Sequence, residues 1–477
     1  CHWKSNEHLR ASMIGDTDLD ILFDINQKER LEIILSRLGF KKFNSVRQKQ
    51  YKDIDDFIGL DIPTGKIVHL HAHFRLTLGE PYLKSYQLNL EDLILKGRVF
   101  DDYFGIYCIH PAFEFILLYF REALKFRNRD ILMLYLFNKI DYSEYILREY
   151  RWLKERCSKD EIKNILGVLF SDYEPIYKLL KPELNRKVIF KLSHLIKRRF
   201  ENQRLFSPAE ALMLRWYREI SLKVHRKFSL LFKIPVVTKR INQRGGLVIA
   251  VVGADGSGKS TVVSQLRSTF KPKLDVYNIY FGRGDGSMSW QRRILVLLKL
   301  VFSLKRKKKN VPGSEFKSRT SKKGLFITLF KITEAFVIAR EKLKNLNRMH
   351  KARNKGMLVI CDRFPQNQIM GYNDGPLLHQ FSSSSNPLFR MVSKKESCIY
   401  ADAENNPPDI VFKLIADAKV VEERKPNETP FHILEEKIKG IKELNYAKSC
   451  KVISIDASQP LIKVLEIIKG EIWKAYP

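Results

Sequence analysis

Residues 253–260 constrain the fold of this chain more than any other segment. They read Gly-Ala-Asp-Gly-Ser-Gly-Lys-Ser and fit the pattern GxxxxGK(S/T). The continuous apolar run 247–252 precedes them, and residues 261–270 have the spacing of a helix. A buried strand, a glycine-rich turn and a helix in this order form a loop whose backbone amides surround phosphate oxygens. The segment therefore predicts an α/β domain with a P-loop.

The residues of this loop have separate physical roles. Glycines permit backbone angles that other residues rarely adopt, and they let amides approach phosphate. Lys259 should reach the β and γ phosphates of a nucleotide, and Ser260 should coordinate Mg²⁺. The expected cofactors are therefore ATP and Mg²⁺. The predicted cofactor-binding residues are Gly253, Asp255, Gly256, Ser257, Gly258, Lys259, Ser260 and Thr261.

Apolar runs continue after the loop and indicate the rest of the sheet. They lie at residues 276–281, 357–361, 409–414 and 452–455, and helical segments separate them. Buried strands that alternate with helices predict a parallel sheet flanked by helices.

The segments before the loop have two other patterns. Residues 1–115 mix short apolar runs with turn signals, which predicts an α+β domain. Residues 116–240 are rich in Leu, Ile, Lys, Glu and Arg at helical spacing, which predicts a helical subdomain. With the P-loop domain at 246–477, we predict three domains.

The sequence pattern Gly-x-Asp-Gly-x-Gly-Lys-Ser-Thr resembles the P-loop of the thymidylate kinase family of nucleoside monophosphate kinases. In that family the loop aspartate, here Asp255, faces the sugar of the acceptor. Residues 359–364 look like the family's strand that ends in Asp-Arg-Tyr, although Phe364 stands in the last position. The resemblance implies that Asp362 lies by the Mg²⁺ and that Arg363 holds the acceptor phosphate. Read without the resemblance, the pair also suits a strand-end ion pair.

Two later segments extend the resemblance. Arg424, within Glu-Glu-Arg-Lys, is similar to the arginine of the family's mobile lid, which stabilises charge on the transferred phosphoryl group. A solvated helix end is the alternative for this segment. Residues 452–460 look like the last strand and the loop beside adenine. The predicted catalytic residues are Lys259, Asp362, Arg363 and Arg424.

One segment departs from the family's pattern. Between Phe281 and Met357 lie 75 residues, more than a minimal thymidylate kinase places there. The family's thymine-stacking aromatic has no identifiable counterpart in this insert. Arg283 and Asp285 suit either contact with an acceptor or a surface turn. The acceptor dTMP is therefore implied by the resemblance and is not read from any residue.

Positive charge concentrates in the same insert. The chain carries a formal charge of +32, and the basic segment Arg292–Lys323 includes the five consecutive cations 305–309. A packed helix followed by a solvated loop is one interpretation, and attachment to an anionic membrane surface is another. Nucleic acid is disfavoured, because no recognition motif accompanies the charge. The prediction also includes a homodimer.

Cysteine usage and hydropathy bear on the compartment. The six cysteines are far apart and form no CxxC pair, which argues against a disulfide scaffold or a cysteine-based zinc site. No apolar run reaches the roughly 18 residues that a membrane span requires. We therefore predict a cytoplasmic protein. The basic insert favours an alternative in which the protein is attached peripherally to the inner face of the membrane.

A second candidate site lies near the start of the chain. Asp18 and Asp20 occupy alternate positions at the entry to an apolar run, so their carboxylates project from one face and could hold divalent cations. The pattern resembles the nucleotidyltransferase fold, although Asp16 stands in the usual Ser position. The third carboxylate should come from a nearby strand, and the best candidate strand, residues 66–73, offers histidines instead.

Those histidines, His69, His71 and His73, should share one face of their strand. Imidazole suits zinc or other transition metals better than Mg²⁺. Three interpretations stay open: a binding or structural domain, a transferase with an atypical metal site, and a coincidental cluster. A chain with a nucleotidyltransferase-like N-terminal domain and a thymidylate-kinase-like C-terminal domain is similar to proteins of bacterial surface-polysaccharide clusters.

The predicted function is ATP-dependent phosphoryl transfer to a nucleoside monophosphate. One alternative is a sugar or polyol kinase, or a two-activity nucleotidyltransferase and kinase that acts on a surface-polysaccharide precursor. A second alternative, motivated by the basic insert, is an ATP-binding assembly protein that phosphorylates no acceptor.

Overall fold

The computed structural model describes residues 1–137, 142–284, 291–297, 322–370, 374–426 and 429–477, and for residues 322–327 it describes the backbone alone. The chain divides into two compact units, Cys1–Gln243 and Arg244–Pro477, which we call unit 1 and unit 2. Each unit has a five-stranded sheet and buried apolar residues of its own.

Unit 1 contains a mixed sheet. Its strands are β1 (Leu19–Leu22), β2 (Lys41–Ser45), β3 (Ile54–Asp61), β4 (Lys66–His73), β5 (Leu76–Leu78), β6 (Tyr86–Leu88), β7 (Val99–Asp101), β8 (Ile106–Cys108) and β9 (Arg240–Ile241). The main sheet has the order β1-β4-β3-β2-β9. Strand β1 runs parallel to β4, and β3 pairs antiparallel with both β4 and β2.

The helices of unit 1 include one that lies at the centre of a hydrophobic core. They are α1 (Leu9–Met13), α2 (Lys28–Arg37), α3 (Glu91–Lys96), α4 (Pro111–Lys125), α5 (Asn128–Phe137), α6 (Glu144–Lys154), α7 (Lys159–Leu169), α8 (Glu174–Leu180), α9 (Arg186–Arg199) and α10 (Pro208–Phe232). In α4 every residue from Ala112 to Leu124 is buried. A helix that is buried on all sides belongs to the centre of a core.

The predicted boundary between residues 115 and 116 falls inside α4. The same hydrophobic cluster contains Trp3 and Leu22 from the first predicted domain and Ile189 from the second. The two segments therefore share one core within unit 1. The change in composition near residue 115 marks the start of the helical part of this unit and not the end of a separate core.

Unit 2 contains a fully parallel sheet. Its strands are β10 (Leu247–Gly253), β11 (Val276–Tyr280), β12 (Leu358–Asp362), β13 (Ile410–Ile415) and β14 (Lys451–Asp456). They lie in the order β11-β12-β10-β13-β14, and each neighbouring pair is parallel. The five predicted runs are confirmed as strands.

Helices flank this sheet. They are α11 (Lys259–Phe270), α12 (Lys322–Asn354), α13 (Pro387–Asn405), α14 (Ala418–Arg424), α15 (Phe431–Glu443) and α16 (Leu461–Ala475). All seven residues of β10 are buried, as expected for a strand covered on both faces. The predicted fold class of unit 2, a parallel sheet flanked by helices, is confirmed.

The strand order determines where a ligand can bind in unit 2. From β10 the chain crosses to β11, returns to β12 on one side of β10, and then passes to β13 on the other side. In open parallel sheets ligands bind at the carboxyl ends of the strands where this order reverses. The register places Asp362 of β12 opposite Val251, and Leu414 of β13 opposite Gly253. The loop after β10 thus begins between the ends of two other strands.

Much of the basic segment Arg292–Lys323 lies outside the described residues. Residues 291–297 are helical, and Arg292 is buried there with its Nη1 atom 3.3 Å from Glu341 Oε2 on α12. The predicted contact of residues 305–309 with an anionic membrane surface falls on residues that are not described. In the described ranges, no helix combines the length and the hydropathy needed to cross a membrane.

Truncation of the α4 core should destabilise unit 1. Leu117 is fully buried, so Leu117→Ala removes apolar contacts and leaves a cavity, which should cost about 2–5 kcal/mol of unfolding free energy. Val168 on α7 is 69% exposed, and Val168→Ala should change the unfolding free energy by less than about 0.5 kcal/mol. Urea unfolding followed by circular dichroism measures both. Equal effects of the two substitutions would contradict the central position of α4.

Candidate functional site

The loop between β10 and α11 adopts a conformation that depends on glycine. Gly256 and Gly258 have φ angles of +89° and +90°, in the left-handed region that residues with a Cβ rarely occupy. Helix α11 begins at Lys259, directly after the second of these glycines. The first turn of the helix and its positive dipole end therefore lie at the carboxyl end of β10. This is the arrangement in which helix N-termini bind anions.

Lys259 is buried inside this loop. Its side chain is 5% exposed, its Nζ donates a hydrogen bond to the Ala254 carbonyl, and Nζ lies 3.8 Å from Asp255 Oδ1. Burial and the nearby guanidinium of Arg363 lower the pKa of Lys259 to about 8. A buried ammonium is stabilised by any added negative charge. The loop is therefore suited to a group with several negative charges, such as a polyphosphate.

Asp362 and Ser260 meet beside the first turn of α11. The Ser260 hydroxyl donates to Asp362 Oδ2 at 3.4 Å. Asp362 is 9% exposed, and its Oδ1 atom has no hydrogen-bond partner among the described residues. Burial raises the pKa of this carboxyl, although Lys259 and Arg363 act in the opposite direction. A buried, unpaired carboxylate oxygen next to a hydroxyl fits the oxygen ligands that Mg²⁺ prefers.

Arg363 lies between two carboxylates. Its Nη2 donates to Asp255 Oδ1 in the P-loop, and its Nη1 donates to Asp374 Oδ2 at 3.4 Å. Burial alone would raise the pKa of Asp255, but Arg363 and Lys259 lower it overall. A guanidinium can donate two parallel hydrogen bonds to a carboxylate or a phosphate. Arg363 can therefore bind an incoming phosphate in place of its present partners.

One cavity of about 860 Å³ is lined by the P-loop, Arg363 and Asp374, whereas Asp362 is not among its lining residues. Arg424, at the end of α14, lines it and donates to the Ala457 carbonyl at 3.0 Å. Arg283 lines it too, whereas Asp285 falls outside the described residues. The other predicted residues in the lining are Gly253, Asp255, Gly256, Ser257, Gly258, Lys259, Ser260, Thr261 and Arg363. Residues distant in sequence thus come together in a space large enough for a nucleotide and a second small molecule.

The sequence prediction missed two residues that organise this cavity. Asp374 contacts Arg363, and Lys342 on α12 is 2% exposed and donates to the Asp374 carbonyl at 2.8 Å. Burial lowers the pKa of Lys342 to about 8. The available signal for Asp374 was the turn sequence Asn-Asp-Gly at 373–375. That signal predicts a turn but does not indicate that Asp374 contacts Arg363.

The Asp-x-Asp sequence of unit 1 lies against the histidines of β4. The register sets Asp20 opposite His71. His69 Nδ1 is 2.8 Å from Asp18 Oδ1, whereas His71 Nδ1 and His73 Nε2 are 3.0 Å and 3.1 Å from Asp20 Oδ1. The prediction that the three histidines share one face of β4 is confirmed by these contacts. Each aspartate thus has histidine partners of its own.

The third carboxylate is on a strand that the sequence prediction did not choose. Asp56 of β3 lies opposite His71 and is 5% exposed. Its Oδ1 atom lies 2.8 Å from His69 Nε2 and 3.0 Å from Arg240 Nε. Burial alone would raise the pKa of Asp56, but His69 and Arg240 hold it well below its usual range. Strand β4, the best candidate in the sequence, offers histidines, and the carboxylate comes from its other neighbour, β3.

A second cavity, of about 350 Å³, lies beside Asp18 and Asp20. Lys4 lines it and places its Nζ 2.9 Å from Asp20 Oδ1. The remaining cationic residues in the lining are Lys84, Arg121 and Lys125. Asp16 instead forms an ion pair with Lys66 at the surface, at 2.7 Å. The aspartate in the usual Ser position therefore pairs outward, and cations surround the other two.

Comparison with known proteins gives two relatives that cover about half of the chain. No known family model matches it. The chain is 27% identical over 220 residues to the uncharacterized ATP-binding protein YghR of Escherichia coli strain K12, which covers 46% of this chain and 84% of YghR. It is 26% identical over 229 residues to the uncharacterized ATP-binding protein YghS of the same strain, over 47% of this chain and 92% of YghS.

A solved structure of deoxyadenosine kinase from M. mycoides with bound dATP is also similar. It covers 47% of this chain and 99% of the kinase, at 15% identity and a TM-score of 0.24.

Removal of the buried charge of Lys259 should stabilise unit 2 at neutral pH. The pKa of Lys259 in the folded state, about 8, lies below the ordinary lysine value of 10.5, so the folded state disfavours the charged form. At pH 7 the wild type carries this whole cost, which is at most about 3.5 kcal/mol at ~1.4 kcal/mol per pKa unit. Between pH 8 and 10.5 the unfolded chain binds more protons, so the wild type regains stability as pH rises.

Urea unfolding of Lys259→Met and wild type at pH 7 and pH 10 measures this effect. We expect the variant to be more stable at pH 7 and the difference to shrink at pH 10. Lys394 on α13 is exposed, so Lys394→Met serves as the matched control and should show no such pH dependence. A variant that is less stable than wild type at pH 7 would contradict the buried, charged state of Lys259.

Proposed function

We propose that unit 2 binds ATP with Mg²⁺ and transfers the terminal phosphoryl group to a nucleoside monophosphate, with dTMP as the first candidate acceptor. The observation that carries this proposal is the meeting, in one cavity, of a P-loop lysine and a separate arginine fork. The first is suited to the phosphates of a donor and the second to the phosphate of an acceptor.

The donor side rests on the loop and its relatives. Gly256 and Gly258 shape the loop, Lys259 supplies a buried cation, and α11 directs its positive end to the same place. YghR and YghS are described as ATP-binding proteins. We extend that ligand to this chain and assign the γ-phosphate to the neighbourhood of Lys259.

The acceptor side rests on Arg363. Its contact with Asp255 places a guanidinium next to the loop that would hold the donor. In the proposal the fork binds the acceptor phosphate, Asp255 contacts the acceptor sugar, and Arg424 stabilises the charge on the transferred group. Bringing two anionic phosphates together requires such cationic groups, because little covalent work falls to the protein in phosphoryl transfer.

Ser260 and Asp362 would hold the Mg²⁺. Their oxygens are 3.4 Å apart, and the second oxygen of Asp362 has no partner among the described residues. When bound, Mg²⁺ would neutralise part of the charge on the donor phosphates.

Two alternative functions use the same donor site. A sugar or polyol kinase would bind ATP in the same way, but its acceptor would carry no phosphate. Arg363 would then keep its hydrogen bonds to Asp255 and Asp374. An ATP-binding assembly protein would bind ATP and phosphorylate nothing. The contact of Arg363 with the loop favours the phosphate-bearing acceptor.

Loss of the loop lysine should abolish phosphoryl transfer. Lys259→Met removes the cation nearest the donor phosphates, and we expect turnover to fall at least ~100-fold, as for other preorganised electrostatic groups. The measurement is transfer of labelled γ-phosphate from ATP to dTMP, with ATP binding measured in parallel. Lys394→Met removes an exposed lysine of the same unit and should leave both unchanged. Normal turnover in Lys259→Met would defeat the proposed function.

The acceptor assignment predicts a specific effect of Arg363→Lys. Lysine keeps the positive charge but loses the fork, so the KM for a nucleoside monophosphate should rise about 10-fold or more while ATP binding persists. A panel of nucleoside monophosphates, nucleosides, sugars and polyols, assayed with wild type and Arg363→Lys, measures this. Transfer to a sugar or polyol that is unaffected by Arg363→Lys would support the alternative kinase. ATP binding without transfer to any member of the panel would support the assembly protein.

A further inference from the structure

Three potential metal ligands in unit 1 converge on one point. The atoms are Oδ1 of Asp20, Nδ1 of His71 and Nε2 of His73, and all three lie within 4.8 Å of one another. The two nitrogens are 3.0 Å and 3.1 Å from the oxygen. In a tetrahedral zinc site with bonds of about 2.0–2.1 Å, ligand atoms lie about 3.3 Å apart. The two nitrogen–oxygen distances are within a few tenths of an ångström of that value.

We propose that unit 1 binds one divalent transition metal of the zinc class, with Asp20, His71 and His73 as its ligands. This inference goes beyond the function proposed for unit 2 and does not depend on it.

The surroundings orient the two imidazoles. His71 Nε2, the nitrogen that faces away from Asp20, lies 3.8 Å from Asp56 Oδ1. The His73 ring is fully buried and packs edge to face against Trp3, with ring centroids 5.0 Å apart. Histidine ligands of metals commonly have a carboxylate near the second nitrogen, and packing around the ring fixes its direction. The ligands are therefore held in place before a metal binds.

The types of ligand indicate the class of metal. Mg²⁺ prefers six oxygen ligands, and two imidazoles among three ligands do not fit it. Two histidines and one carboxylate are typical of zinc and neighbouring first-row metals. A mixed nitrogen and oxygen site thus fits this structure better than the predicted pair of carboxylate ligands, Asp18 and Asp20.

His69 and Asp18 have a different role. Both ring nitrogens of His69 lie 2.8 Å from carboxylate oxygens, one of Asp18 and one of Asp56. The two ring nitrogens of His69 thus face Asp18 and Asp56 and not Asp20, so His69 is not included among the metal ligands.

The ion pair with Lys4 shows that Asp20 binds a cation at this position. The Nζ atom of Lys4 lies 2.9 Å from the same Oδ1 atom that the two histidines approach. An ammonium and a metal ion would compete for this oxygen, so the lysine occupies part of the space that the metal would take. Asp20 also lines the cavity of about 350 Å³, which gives a bound metal access to small molecules. The cations around that cavity favour an anion as an additional ligand of the metal.

Zinc retention by the full chain tests the proposal. Protein stripped with a chelator is dialysed against Zn²⁺ in excess Mg²⁺, and the bound zinc is counted. We expect one zinc ion per chain in the wild type. Asp20→Asn and His71→Gln should each weaken zinc binding at least ~10-fold, since even outer groups around a metal change affinity by that factor. Lys4→Met should strengthen it by removing the competing ammonium.

A matched control uses a histidine away from the site. His194 is exposed on α9, and His194→Gln should retain the wild-type affinity for zinc. Far-ultraviolet circular dichroism checks that each variant is folded. Full zinc retention in folded Asp20→Asn and His71→Gln, or no zinc in the wild type, would overturn the proposal.

A second measurement uses the fluorescence of the wild-type protein, so it does not depend on whether the ligand variants fold. Co²⁺ quenches tryptophan fluorescence at short range, and Trp3 is in ring contact with His73. Co²⁺ should therefore quench part of the wild-type emission, and Zn²⁺ should reverse this. In Trp3→Phe the zinc-reversible quenching should disappear, because the remaining tryptophans are not in that contact. Undiminished zinc-reversible quenching in Trp3→Phe would place the metal elsewhere and overturn the assignment.

Discussion

Burial of β10 on both faces and along both edges restricts where unit 2 can present polar groups. The strand pairs with β12 and β13, and all of its side chains are covered. Its amides and carbonyls are used within the sheet, so the first place where the chain can bind a ligand is the loop at its end. The two neighbouring strands end at the same edge. Asp362, Arg363 and the P-loop come together for this reason.

Much of this arrangement is visible in the sequence, because buried parallel strands require continuous apolar runs. Each of the five runs of unit 2 became a strand, and the glycine pattern at 253–260 identified the one that precedes the loop. Asp362 and Arg363 could be placed for the same reason, since they directly follow a recognisable strand. The resemblance to thymidylate kinases added roles for these residues, and those roles remain part of the proposal.

Contacts set by strand order and register were not predictable in the same way. Asp56 lies opposite His71 only because β3 pairs with β4, and the sequence does not say which strand is the neighbour. Asp374 reaches Arg363 through a turn, supported by the buried Lys342 of a long helix. The boundary predicted at residue 115 stays a prediction, although residues on both sides of it belong to one hydrophobic cluster. A change in composition shows where helices begin, whereas a shared core depends on packing across the chain.

An anion that binds the guanidinium of Arg363 competes with Asp255 and Asp374 for its positive charge and weakens these bonds. Asp255 belongs to the loop that holds Lys259, so release of that carboxylate changes the electrostatic potential around the lysine. An anion at the arginine and an anion in the loop must then alter each other's affinity, and by equal factors, as thermodynamic reciprocity requires. Cooperativity between the two halves of the cavity is thus built into an exchange of ion-pair partners and needs no movement of the sheet.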